Sequence, residues 1–171
     1  MKDKIIFWLD GDITSFGIAK FLQEKYTFEF FSIVDVTDRV KKFFEEQKLV
    51  KFEKTWYYHD HVLPKTIMDL EYLSNFEKKY HLDLWLLALN ERLFYRFNYF
   101  YKFTRYEILS ILEQECKMFE TILDEVKPDW ILAQGDTTSV FVTAMIAFYR
   151  KIPFGHVEAG LRSGDRQKPF P

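Results

Sequence analysis

A chain of 171 residues with a formal net charge of -2 and a sequence pI near 6.1 is long enough for one well-buried domain. That charge gives no global reason to expect nucleic acid or an anionic membrane as partner. Hydrophobic residues at 48% and aromatics at 19% exclude a disordered chain and predict a core-rich fold.

No apolar run approaches the roughly 20 residues of a transmembrane helix, and residues 5–9 are too few for a signal-peptide core. A cytoplasmic protein is therefore expected. The single cysteine, Cys116, leaves no intrachain disulfide and no cysteine cluster for zinc, and is expected to pack as a small apolar residue.

Residues 4–9 (KIIFWL) predict a strand buried on both faces. The turn DGDITS at 10–15 then leads into a helix through about Tyr26, and residues 28–36 read as the next strand. This is the β-α-β opening of a doubly wound domain. The turn could receive a phosphate on its backbone N–H groups, but N-capping by Asp or Thr is the plainer reading. An Asp there could instead hydrogen-bond a sugar hydroxyl.

Residues 38–46 predict a short charged helix, and 49–62 a strand plus loop. That loop carries His59, Asp60 and His61. Ligands at i and i+2 can share a strand face, but no third ligand is evident, so these are read as surface or loop histidines and no metal is expected. Pro64 suits the first turn of a helix continued over 65–79, with Ile67, Leu70 and Leu73 toward one side.

After a break at 81–83, residues 84–126 are helical in composition, as one long helix or two shorter ones. Leu93, Phe97, Phe100, Thr104, Ile108, Ile111, Phe119, Ile122 and Val126 follow three-four spacing. Residues 93–106 mix aromatics with nearby Arg92, Arg96, Lys102 and Arg105, which could stack on single-stranded nucleic acid. The preferred reading is an amphipathic helix with its aromatic face in the core and no nucleic-acid partner. So many aromatics could exceed what one domain buries, which makes a homodimer interface plausible.

The chain is organised around residues 128–171, PDWILAQGDTTSVFVTAMIAFYRKIPFGHVEAGLRSGDRQKPFP. A short strand at 130–133 is followed by the polar turn 134–139 and a helix through Tyr149. Pro153 blocks that helix, and residues 154–158 give a second strand. Both loops would leave the same edge of a parallel sheet, where α/β domains bind ligands. Asp136 and Glu158 would then face one crevice.

GDTTS, AFYRKIP and GHVEAGLRSGD followed by PFP resemble, in order and spacing, the UDP-N-acetylglucosamine 2-epimerase family. The strong likeness covers about the last quarter of the chain. It implies a Rossmann-like, doubly wound, mostly parallel α/β sheet, one half of a GT-B-like two-domain architecture. A UDP-sugar would be substrate, with no cofactor.

The implied chemistry is elimination of UDP to an unsaturated sugar, then re-addition to give UDP-N-acetylmannosamine or release of N-acetylmannosamine. Asp136 and Glu158 match the family's catalytic carboxylates. Gly135, Thr137, Thr138, His156 and Arg162 match substrate-side positions, His156 as orienting group and Arg162 as an ion-pair partner or anion contact. Thr137 and Thr138 serve equally well as helix caps. Gln134 stands where the family commonly has His, so it can hydrogen-bond but cannot transfer a proton.

The family's first loop is GTRPE-like and supplies an arginine, whereas no arginine precedes Arg39 here. That points to a distant relative or a differently assembled front end. Residues 1–171 are expected to form a single amino-terminal domain, with the family's PEE-x-x-R segment and its carboxyl-terminal UDP-binding domain absent from them. Alone, such a half would turn substrate over negligibly. The alternatives are a nucleotide-sugar-dependent transferase of surface-polysaccharide synthesis and a non-enzymatic partner-binding half.

Overall fold

The computed structural model describes residues 2–9, 13–35, 38–63, 67–90, 105–135 and 137–157. Within them the order is β1 (Lys4–Leu9), α1 (Ile13–Lys25), β2 (Glu29–Val34), α2 (Asp38–Glu46), β3 (Lys54–Tyr57), a 3-10 turn (Tyr58–Asp60), α3 (Leu70–Tyr80), α4 (Leu84–Asn90), α5 (Arg105–Val126), β4 (Trp130–Gln134), α6 (Thr138–Tyr149) and β5 (Phe154–Val157). The strands form one five-stranded sheet in the order β3-β2-β1-β4-β5, with every pairing parallel. This is the doubly wound α/β fold expected from the sequence.

Parallel strands covered on both faces need apolar residues at consecutive positions, and β1 has them. Ile6 and Trp8 enter the cluster packed by α3, α4, α5 and α6. Ile5, Phe7 and Leu9 enter the opposite cluster with Phe16 and Ala19 of α1. Cys116 is buried in the first cluster, as its sequence reading predicted.

One helix starts later than its sequence pattern suggests. Residues 64–66 lie outside the described set, and α3 begins at Leu70, where the Asp69 side chain accepts a hydrogen bond from Tyr72 N at 2.9 Å. Side-chain capping at Asp69 sets the helix start. Ile67 is therefore outside the helix and 84% exposed. The buried face is Leu73, Phe76 and Tyr80, and Leu70 is exposed. The break at 81–83 is made by His81, which ends α3 in the left-handed region at φ 52°.

Glu120 ties three helices together. It accepts from Tyr72 and Tyr80 hydroxyls of α3 at 2.9 and 2.7 Å, and pairs with Lys79 at 2.5 Å and with Arg150, just past α6, at 3.4 Å. Burial alone would raise the Glu120 carboxyl, but the donors Lys79, Tyr80 and Tyr72 outweigh it and hold it below its ordinary value of 4.5. A carboxyl depressed in the folded state stabilises fully above its unfolded pKa, and that stability is lost as pH falls through the lower folded value. The expected result is that Glu120→Gln lowers stability at pH 7 and flattens the acid limb below about pH 4.5 in urea titrations. Parallel acid limbs for variant and parent would contradict it.

Among the described residues no helix is long and apolar enough to cross a membrane. Of the aromatic and basic segment at 93–106, residues 93–104 lie outside the described residues.

Candidate functional site

In the order β3-β2-β1-β4-β5 the chain direction across the sheet reverses between β1 and β4. At such a switch point the loops leaving the two strands diverge, to α1 on one face and α6 on the other, and open a crevice at the carboxyl edge. The crevice is bridged from within. Gln134 closes β4 and is 1% exposed. Its Oε1 accepts from both Ser15 N at 3.1 Å and Ser15 Oγ at 2.8 Å, in the first turn of α1. Gln134 thus uses its oxygen to join the GDITS and GDTTS turns.

Gly135 follows with φ 96°, a conformation open to glycine at little cost. Its carbonyl accepts from His156 Nε2 at 2.5 Å. A carbonyl can only accept, so Nε2 carries the proton, and in the neutral ring Nδ1 is left as acceptor. His156 itself is exposed at the end of β5. Thr137 caps α6, its hydroxyl accepting from Val140 N at 3.4 Å, and Thr138 is the first helical residue. The structure therefore brings Gln134, Gly135, Thr137, Thr138 and His156 to one edge.

Asp136, Glu158 and Arg162 lie outside the described residues. Their neighbours bracket the first two: Gln134 pairs in register with Val157, and Asp136 and Glu158 follow those partners by two residues and one.

His59 and Asp60 occupy the 3-10 turn after β3. His59 Nε2 is 3.3 Å from Asp35 Oδ1, and Asp60 pairs with Lys41. Among the described residues no group of three or more His, Cys, Asp or Glu could hold a metal ion.

Three buried residues behind the edge were not among the sequence candidates. Glu115 of α5 accepts on Oε1 from Tyr58 OH and from Ser139 Oγ, each at 2.5 Å. Burial first, and the Glu115 charge second, push the Tyr58 phenol far above its ordinary range. Glu115 was legible as an acid inside the three-four stripe between Ile108 and Ile122. Ser139 closes the GDTTS motif.

Fold and edge define a Rossmann-like α/β domain, the class that binds ligands beyond the carboxyl ends of its strands. Residues 104–171 match the model of the family described as UDP-N-acetylglucosamine 2-epimerase, so the resemblance extends beyond the quoted motifs. The UDP-N-acetylglucosamine 2-epimerase of Escherichia coli K12 is 50% identical over 65 residues, 36% of this chain and 17% of that protein.

Among solved structures, the UDP-GlcNAc 2-epimerase of Methanocaldococcus jannaschii superposes with a TM-score of 0.54 at 24% identity, over 99% of this chain and 34% of that one. The Neisseria meningitidis enzyme bound to UDP-GlcNAc gives 0.52 at 22% identity, over 100% and 36%. The described residues before 104 thus share the fold without falling in the family match. The chain spans about a third of the solved chains it resembles.

Proposed function

We propose that this chain is the amino-terminal domain of a UDP-N-acetylglucosamine 2-epimerase acting in the cytoplasm. The observation that carries the reading is the family match over residues 104–171, which spans the GDTTS turn and both candidate carboxylates. In this reading one carboxylate of the pair Asp136 and Glu158 removes the C2 proton while the bond from C1 to the UDP oxygen breaks, leaving a sugar unsaturated between C1 and C2. Return of a proton to the other face of C2 with re-addition of UDP gives UDP-N-acetylmannosamine. Capture of the intermediate by water gives N-acetylmannosamine.

Thr137, Thr138 and Arg162 contact the nucleotide sugar, and His156 orients the site from the Gly135 carbonyl. Gln134 acts on the substrate edge indirectly, by joining the two turns. The solved relatives are about three times as long as the stretch they share with this chain, which supports a proposed catalytic form with a second domain facing this edge. A homodimer is the assembly that would cover surplus aromatic surface.

Product analysis with UDP-N-acetylglucosamine as sole substrate tests the reading. The full-length protein is expected to form the manno product without any acceptor. Product that appears only when an acceptor saccharide is added would replace epimerisation by glycosyl transfer.

A further inference from the structure

Glu115 sits where α5 needs an apolar residue. It is 1% exposed in a helix face otherwise built of Ile108, Leu112, Phe119 and Ile122. A buried carboxylate is costly to desolvate, and a well-packed apolar residue in its place is often neutral or stabilising. What the acid supplies is direction. Its Oε1 gathers the Tyr58 hydroxyl, one residue beyond β3, and the Ser139 hydroxyl, in the first turn of α6. Tyr58 is itself set edge-on against Trp8 of β1 at 5.6 Å, and Ser139 O accepts from Thr143 Oγ at 2.6 Å. A carboxylate under the first turn of a helix also meets its partial positive charge.

We infer that Glu115 is a positioning residue, holding through the Tyr58–Glu115–Ser139 link the first turn of α6 and hence Thr137 and Thr138 of the candidate site. The hydroxyls of Tyr58 and Ser139 act through Glu115 and touch no substrate. The link stands on geometry alone, and only its kinetic consequence rests on the epimerase reading.

Two measurements on the full-length protein test it. Ser139→Ala removes one oxygen, and Ser139→Thr restores the hydroxyl. Amide hydrogen exchange across 135–140 is expected to speed up on the order of tenfold in Ser139→Ala, with peptides of β1 and of α5 unchanged, and to recover in Ser139→Thr. On the kinetic arm, kcat for UDP-N-acetylglucosamine is expected to fall on the order of ten- to a hundredfold with KM nearly constant, since misplacing a reacting group acts on the transition state.

Tyr58→Phe should act in the same direction, and the double variant should lose less than the product of the two single losses. Unchanged exchange at 135–140, an increase spread equally through β1 and α5, or no recovery in Ser139→Thr would each overturn the inference. If the parent protein shows no turnover, the epimerase reading falls and the exchange result alone decides the link.

Discussion

Asp136→Asn and Glu158→Gln, each made in the full-length protein, are expected to lower turnover of UDP-N-acetylglucosamine by about 10²- to 10⁴-fold, the range for loss of a general acid or base. The substitutions keep size and much of the hydrogen bonding but cannot hold a proton in exchange, so the loss should fall on kcat more than on KM. The register of β4 with β5 carries the expectation. Gln134 lies opposite Val157, and neighbouring strands are separated by roughly 4.8 Å. In the proposed reading, one of the carboxylates that follow these strands in sequence serves the sugar carbon and the other the leaving group. Steady-state kinetics of both variants is the check, and unchanged turnover in both would remove them from the chemistry.

Trp8→Ala is expected to be the most damaging single change to the fold, at about 3–5 kcal/mol for truncation of a buried Trp. Trp8 is 1% exposed and stands in β1 between Ile33 of β2 and Ala133 of β4. Its ring lies 5.4 Å from that of Phe119 and 5.6 Å from that of Tyr58. Domains are commonly stable by only 5–15 kcal/mol, so this variant should approach unfolding at physiological temperature. Urea denaturation should show the midpoint falling at a similar slope. A loss below about 1 kcal/mol would mean that the sheet and α5 are not packed through this ring.

What was legible in the sequence is what is local. Residues 5–9 and 130–133 read as strands because every position in them is apolar, and the GDTTS turn reads as a strand-to-helix passage because Gly135 and its hydroxyl neighbours suit a turn and a helix start. The start of α3 was misread for a local reason too: Pro64 and Ile67 look helical, whereas the Asp69 carboxylate selects the helix start by bonding Tyr72 N.

The contacts that build the edge were not legible, because they join residues far apart in the chain. Ser15 and Gln134 are separated by 119 positions, and Tyr58 and Glu115 by 57. Neither pair shares a helix face or a strand register, so no period reveals it. Glu115 alone left a trace, as an acid in an apolar stripe. Its meaning depended on two hydroxyls that only the fold brings to it.

The most direct test incubates the full-length protein with UDP-N-acetylglucosamine in deuterium oxide and reads C2 of the sugar by NMR. Epimerisation through proton removal predicts a manno product carrying deuterium at C2, formed without an acceptor and lost in Asp136→Asn or Glu158→Gln. Substrate that keeps its C2 proton and its configuration in the presence of active, folded protein would contradict the assignment.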